Sequence, residues 1–182
     1  MIALLVSLGV SACSHPASQQ VLGGENIAMT LSLTSPVFTN GAPIPDRDTC
    51  DGANVSPPLK WMGTPSGAKS LALICEDPDA PGGTWTHWVL YNIPPTTTEL
   101  PEGVPATPST PDKLQQGTND FKQAGYGGPC PPGGASHRYF FRLYALDTEL
   151  SLPAGTTEAD LLQAIKGHIL AGGELMGTYK RR

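Results

Sequence analysis

Two turn-and-strand segments, about fifty residues apart, constrain the fold of this chain most. In the first, residues 77–81 (DPDAP) lead into the apolar residues 85–93, and in the second, residues 127–132 (GGPCPP) lead into residues 137–146. Proline and glycine turns fix the backbone direction at the rim of a sheet, where a rigid scaffold can hold binding groups. We therefore expect a chain built of strands, with a small polar site where the two rims meet.

The composition supports a fold built of strands and loops. Glycine (21) and proline (19) together make up 40 of the 182 residues, and charged residues only 15%. Such an excess favours a mainly β or loop-rich fold over a helical bundle, and the length suits one domain. The net charge is −5 and no stripe of lysine or arginine is present, which argues against a nucleic-acid partner.

Hydrophobic periodicity predicts five main strands. The predicted strands are residues 28–34, 59–61, 70–75, 86–93 and 137–146, the last of these being the longest. Residues 70–75 are continuously apolar, so we expect a central strand that is covered on both faces. In residues 86–93, strict alternation places His87, Val89, Tyr91 and Ile93 on one face, opposite Trp88 and Leu90. Residues 94–136 show no strong period, and a region of that length is either functional or contains further elements.

One helix is predicted near the carboxyl end. Residues 157–160 form a capping box, followed by Leu161, Ile165 and Ile169 at helical spacing. The glycines at 172–173 are expected to end this helix, with a short final strand over residues 174–179.

The amino-terminal residues suggest export. Residues 1–12 are an apolar run of signal-peptide length, and the residues just before Cys13 resemble a bacterial lipobox. We expect cleavage before Cys13, a lipid on that cysteine, a flexible tether over residues 13–27 and a folded domain over residues 28–182. The protein would then be a membrane-anchored lipoprotein on the periplasmic side. The alternative is a buried amino-terminal strand.

The three remaining cysteines cannot all pair with one another. Cys75 lies within the apolar run and is expected to be a buried, inert thiol. Cys50 and Cys130 both lie in Gly/Pro-rich loops, so an oxidising periplasm would permit a disulfide between them, although spacing alone does not establish it.

Four sequence segments, in order, resemble the phosphatidylethanolamine-binding protein (PEBP) family, and most closely its bacterial Raf-kinase-inhibitor-like branch. These segments are residues 50–61 (CDGANVSPPLKW), 77–87, 128–139 and 166–179. The resemblance implies a mainly β fold, a PEBP-like β-sandwich of antiparallel sheets with a short carboxyl-terminal helix and long Pro/Gly-rich loops. It also implies an anion pocket at one rim and permits a cis Ala80–Pro81 bond, as in relatives, although the sequence alone does not decide the isomer.

The same resemblance assigns the pocket residues. Its polar members correspond to Asp77, His87, His137 and Tyr139, and its walls are formed by Pro81, Trp85, Gly128, Cys130 and Pro131. Family members bind phosphate-like groups, including phospholipid headgroups, and several inhibit kinases or proteases. The segment between Pro81 and Trp85 is shorter than in animal members, so the mouth of the pocket should differ.

The chemistry of these side chains suits an anion. Histidine nitrogens, the tyrosine hydroxyl and glycine-rich backbone can donate hydrogen bonds. A carboxylate repels phosphate, so Asp77 is expected to accept from an imidazole and fix its tautomer. Asp79 is interpreted as a turn residue, and Arg138 and His168 as structural or surface residues.

We predict a non-enzymatic binding protein for small anionic or phosphorylated ligands, without a cofactor. Neither a Gly-x-Ser-x-Gly motif nor a P-loop is present. The alternative is an inhibitor or regulator of a kinase or protease that uses the same rim. A metal site formed by His87, His137 and Asp77 is a third hypothesis.

Overall fold

Strands dominate the regular structure, as the composition predicts. The structure, a computed structural model, describes residues 19–22, 24–110, 114–153 and 155–181. The predicted signal peptide and Cys13 lie outside these ranges. Within them the elements are β1 (Gln19–Leu22), β2 (Glu25–Ala28), β3 (Ser32–Thr34), β4 (Leu59–Met62), β5 (Ser70–Asp77), β6 (Trp85–Ile93), β7 (Glu99–Leu100), β8 (Gln115–Gln116), β9 (His137–Leu146), α1 (Glu158–Ile165) and β10 (Ile169–Tyr179).

The apolar run predicted as a central strand is the middle of the main sheet. Five strands pair there in the order β10-β9-β5-β6-β8, and every pairing is antiparallel. In β5 every residue except Glu76 is buried, because layers cover both faces of the sheet. A three-stranded sheet, β3-β4-β7, and a two-stranded hairpin, β1-β2, complete the strands of the described residues.

Two apolar cores separate the layers. On one face, the main sheet packs against Leu59 and Trp61 of β4, which forms a sandwich of two antiparallel sheets. On the other face it packs against Leu161 and Ile165 of α1 and Ile27 of β2. The predicted fold class is confirmed. No helix in the described part of the chain is long and apolar enough to cross a membrane.

The folded domain extends further towards the amino terminus than residue 28. The hairpin of β1 and β2 occupies residues that the sequence assigned to the tether, and Ile27 is 4% exposed within the core beneath α1. Burial of an apolar side chain against a helix stabilises this hairpin on the domain. Among the described residues, the hairpin from Gln19 to Ala28 therefore packs on the folded domain ahead of the boundary predicted at residue 28.

Two bulges in β6 overturn the predicted face assignment. Cys75 pairs with Trp88 while Glu76 pairs with Thr86, so His87 is an extra residue in the ladder. An extra residue changes the alternation. His87 consequently lies on the side of Trp88, where its ring packs edge-on against Tyr139.

The second bulge lies at the other end of the strand. Asn92 adopts a positive φ of 55°, and the register shifts there by one residue. Ile93 therefore joins the sandwich core, whereas Val89 and Tyr91 face the helix. The prediction that His87 and Ile93 share a face with Val89 and Tyr91 was wrong, because periodicity alone does not reveal a bulge.

The final strand is longer than predicted. β10 spans 11 residues and is one residue longer than β9, and the helix ends at Ile165, before the glycine pair. A Cβ on Gly173 would lie 2.7 Å from the backbone oxygen of Leu31, so the glycines let the preceding chain approach the strand closely. The interpretation of Gly172 and Gly173 as a helix stop was wrong for this reason.

The predicted capping box is confirmed at the start of α1. Thr157 Oγ1 accepts from the backbone N–H of Asp160 at 3.2 Å, and the Asp160 carboxylate accepts from the backbone N–H of Thr157 at 3.2 Å. We expect Thr157→Ala to lower the free energy of unfolding by about 1 kcal/mol. The alanine variant lacks the hydroxyl that accepts from the Asp160 backbone N–H, and the reciprocal hydrogen bond from the Thr157 backbone N–H is no longer held in place. Denaturant titration measures this loss. Thr96→Ala, at an exposed turn, is the control, and equal losses in the two variants would contradict the assignment.

Candidate anion-binding site

The two turn-and-strand segments meet at one end of the main sheet. β5 ends at Asp77, opposite the start of β6 at Trp85, and β9 begins beside them at His137. Together they enclose a cavity of about 190 Å³. Its lining residues are Asp77, Ala80, Pro81, Trp85, His87, Phe121, Cys130, Pro131, Pro132 and His137. Seven of the nine predicted site residues are among them, and Gly128 and Tyr139 are the two that are not.

A buried carboxylate–imidazole pair forms one side of the cavity. Asp77 Oδ2 and His137 Nδ1 are 2.8 Å apart, and their side chains are 4% and 7% exposed. Asp77 Oδ1 accepts from the backbone N–H of Asp79 at 2.8 Å, which ties the same carboxylate to the turn. Asp77 thus accepts from an imidazole, as expected, and leaves Nε2 of His137 for the cavity.

The second imidazole is anchored on backbone. His87 Nδ1 lies 2.6 Å from the carbonyl oxygen of Gly127, and since a carbonyl only accepts, Nδ1 carries the hydrogen. Burial lowers the pKa of His87, which more than offsets the opposing effects of the Gly127 carbonyl and Asp77. The ring is therefore neutral at neutral pH, with its unprotonated Nε2 as the remaining polar atom.

Tyr139 lies directly behind the cavity wall. Its side chain is fully buried and packs edge-on against His87, with the ring centroids 5.2 Å apart. Burial and the nearby Asp77 carboxylate raise the pKa of the phenol far above its usual value, so the hydroxyl keeps its proton. By hydrogen-bond geometry that hydroxyl has no partner among the described residues, although the Asp77 carboxylate lies close enough to raise its pKa, and such a buried donor is open to a ligand or an ordered water.

An aromatic pair forms the mouth of the cavity. Trp85 is 38% exposed and Phe121 37% exposed, and their rings meet edge-on at 5.5 Å. Phe121 also contacts the His87 ring, at 5.4 Å between centroids. Its loop is held to β6 because Asp120 accepts from the Thr86 backbone N–H at 2.8 Å. Sequence reasoning missed Phe121, since the only signal was its place in the aperiodic residues 94–136.

The motif at residues 50–61 supports the opposite wall. Cys50 and Cys130 form a disulfide, which settles the pairing that the sequence left open. Gly128 donates its backbone N–H to Asn54 Oδ1 at 2.7 Å, and Cys50 donates its own to the Pro129 carbonyl at 3.1 Å. Gly128 therefore serves the site by close packing rather than by lining it.

The remaining charged neighbours are paired outside the cavity. Arg138 holds Asp79 through two side-chain hydrogen bonds, of 2.9 and 2.7 Å, which lowers the pKa of Asp79 to about 2. His168 pairs with Asp147 at 2.8 Å, far along the sheet.

No cis peptide bond occurs among the described residues, so Ala80–Pro81 is trans here. The described residues contain no group of three or more His, Cys, Asp or Glu side chains placed to hold a metal ion.

Four other depressions among the described residues are larger, with volumes of about 290 to 820 Å³. A cleft of about 360 Å³ lies where Glu158 accepts from Thr86, and a groove of about 820 Å³ covers the outer face of β3, β4 and β7. The smaller cavity remains the best candidate site because it combines two anchored imidazoles with an adjacent buried hydroxyl that has no partner among the described residues.

Comparisons with known proteins point to one family. The sequence model described as phosphatidylethanolamine-binding protein matches residues 34–180. A UPF0098 protein of Methanothermobacter thermautotrophicus is 55% identical over 151 residues, which cover 83% of this chain and 99% of that relative. A UPF0098 protein of Aquifex aeolicus is 48% identical over 153 residues, covering 83% of this chain and 89% of that relative.

Two crystal structures are similar over most of their length. A PEBP homologue from Chlamydia trachomatis has a TM-score of 0.77 and 45% identity, covering 84% of this chain and 99% of that one. Escherichia coli YbcL, presented as a member of the mammalian PEBP family, has a TM-score of 0.79 and 34% identity, with the same coverage.

Proposed function

The chain belongs to the phosphatidylethanolamine-binding protein family, and we propose that it binds small phosphorylated or other anionic groups in the cavity between Asp77, His87 and His137. The observation that carries this proposal is the pair of imidazoles whose Nδ1 atoms are both committed to the protein. Each ring is held in one orientation and keeps one nitrogen for a ligand, which reduces the entropy lost on binding.

The size of the cavity limits what it can enclose. At about 190 Å³ it is smaller than the roughly 300–1,000 Å³ typical of sites for drug-sized ligands. A single phosphate or carboxylate group with a short substituent suits this space. The remainder of a larger ligand would leave the cavity past Trp85 and Phe121, whose exposed rings line the mouth.

We infer binding without chemical conversion. The lining contains no serine or threonine, and its one cysteine, Cys130, is held in a disulfide. A hydroxyl or thiol nucleophile is therefore not offered to a ligand by this lining. A binding protein also agrees with the family's name, which describes binding rather than catalysis.

We also propose that the protein is exported and anchored to the membrane through a lipid on Cys13. The support is the apolar run of residues 1–12 before that cysteine, together with the Cys50–Cys130 disulfide. Disulfides persist in oxidising compartments such as the periplasm. Metabolic labelling with a radioactive fatty acid tests the anchor, and labelling that survives Cys13→Ser would overturn it.

A second candidate function is inhibition or regulation of a protein partner through the same rim. The observation that favours it is the half-exposed pair of Trp85 and Phe121, since aromatic side chains dominate protein interfaces. The substitution Phe121→Ala tests it better than a deletion of residues 94–136, which contain the buried Leu100 and Gln116. Capture of a partner that is unaffected by Phe121→Ala would contradict this function.

His87→Ala is the direct test of the anion site. We expect the affinity for phosphoethanolamine to fall by at least about tenfold, because the loss of one hydrogen bond to a charged group costs roughly 1.5–3 kcal/mol. Phosphorus NMR titration measures the affinity. His168→Ala is the matched control, since that histidine is exposed and pairs with Asp147 far from the cavity. The proposal fails if a folded His87→Ala variant binds phosphoethanolamine as tightly as the unaltered protein does.

A further inference from the structure

The cavity lacks a positively charged residue. No lysine or arginine is among the residues that line it, and Arg138, next to His137 in the chain, is committed to Asp79 through two hydrogen bonds. The one formal charge in the lining is the Asp77 carboxylate, which is negative. A fully ionised phosphate or sulfate group would therefore enter a buried site without a counter-charge, which is costly.

The hydrogen positions on the imidazoles make this mismatch more severe. The Nδ1 hydrogens of His87 and His137 point to the Gly127 carbonyl and the Asp77 carboxylate. On a neutral ring the free Nε2 is then an acceptor, so it repels an oxygen that carries no hydrogen. A second proton on His137 would only cancel the charge of Asp77. The Tyr139 hydroxyl supplies one donor but no charge.

The surroundings of His87 reinforce its neutral state in the free protein. Its charged or titratable neighbours are Asp77 of β5, Asp120 of the loop that carries Phe121, and His137 and Tyr139 of β9. Both carboxylates favour a charged imidazole, yet burial outweighs them and lowers the pKa of His87. The ring therefore gains its second proton only when a ligand brings negative charge to Nε2.

From this arrangement we propose that the cavity selects phosphate monoesters over phosphate diesters and sulfate esters, because only a monoester brings the proton that His87 Nε2 lacks. This inference rests on the proposed function and specifies its ligand class. A monoanionic monoester donates its P–OH hydrogen to Nε2, or transfers that proton to give an imidazolium beside a dianion. The total charge and the number of protons are the same in both descriptions.

The proposal predicts how the affinity for a phosphate monoester changes with pH. The second ionisation of a phosphate monoester has a pKa of about 6. Above that value the free ligand is a dianion, so the complex must take up one proton from the solvent. The affinity should therefore fall by roughly 50-fold between pH 6 and pH 8, with about one proton taken up at pH 8 and about half a proton at pH 6.

Isothermal titration calorimetry of the folded protein tests this with two matched probes. Phosphoethanolamine is a monoester, and glycerophosphoethanolamine carries the same amine on a diester. Titrations at pH 6 and pH 8, each in two buffers of different ionisation enthalpy, report affinity and proton uptake together. We expect the monoester to bind at least about tenfold more tightly than the diester at pH 6, since one hydrogen bond to a charged group separates them.

The outcomes separate the inference from the proposed function. If the diester binds as tightly as the monoester at pH 6, or if no proton is taken up with the monoester at pH 8, the inference is overturned while the anion site stands. If neither probe binds at either pH, the proposed function itself is overturned. A diester preference would point to intact lipid headgroups, and a monoester preference to free phosphorylated metabolites or phosphorylated side chains.

Discussion

Replacing both Cys50 and Cys130 by serine is expected to lower the free energy of unfolding by about 4 kcal/mol. The disulfide joins residues 80 positions apart. A cross-link that closes a loop of this size raises the free energy of the unfolded chain by roughly 3–5 kcal/mol, because it restricts the conformations open to that chain. Domains of this kind are stable by only about 5–15 kcal/mol in total. The loss should therefore be plain in a guanidinium unfolding curve.

Reduction of the unaltered protein provides the internal control for this prediction. Its unfolding midpoint in the presence of dithiothreitol should fall to that of the double serine variant, whose own midpoint should not respond. Because Cys130 and Pro131 line the cavity, the affinity for phosphoethanolamine should weaken in the same samples. If neither the substitution nor the reductant changes the unfolding midpoint, the disulfide contributes nothing to stability.

Gly128→Ala is also expected to destabilise the protein, although it adds only one methyl group. Its Cβ would lie 2.6 Å from the Asp48 carbonyl oxygen and 2.9 Å from Thr49 Cα, both of which are backbone atoms that cannot swing aside. Forcing an extra carbon into a packed site costs about 1–3 kcal/mol. Relief of the clash would also move the wall at residues 127–132, so we expect phosphoethanolamine binding to be lost.

The same loop offers a matched control for that substitution. A Cβ on Gly133 would meet no heavy atom within 4 Å, and this residue lies only five positions away. Gly133→Ala should therefore leave the thermal midpoint and the affinity for phosphoethanolamine nearly unchanged. If the two alanine variants behave alike in calorimetric melting and in ligand titration, close packing at Gly128 does not hold the wall in place.

The elements predicted best from sequence are those that local pattern alone determines. β5 was recognised because a continuous apolar run needs burial on both faces, and β9 because residues 137–146 form a long strand-like run. The start of α1 was recognised because Thr157 and Asp160 cap each other locally. The polar site residues came from family resemblance. Hydrogen-bond geometry at Asp77 agrees with the role predicted for it, while ligand binding itself stays a prediction.

Features that depend on distant parts of the chain were not predictable in the same way. The bulge at His87 is defined only by the pairing of β6 with β5, in which Cys75 faces Trp88 and Glu76 faces Thr86. Gly173 in β10 is explained by the close approach of Leu31, more than 140 residues away in sequence. Phe121 reaches the cavity through the anchoring of its loop by Asp120 and Thr86. In each case the cause is a tertiary contact that no local window of sequence contains.

The burial of Cys75 has a consequence for how the protein matures. This cysteine lies between Cys50 and Cys130 in sequence, so on a growing chain it becomes available to Cys50 before the native partner does. In the folded protein it is fully buried in β5, and burial raises the pKa of its thiol, which leaves no thiolate to attack a disulfide. Once the central strand has folded, the one competing thiol in the described chain is therefore withdrawn from exchange with the Cys50–Cys130 disulfide.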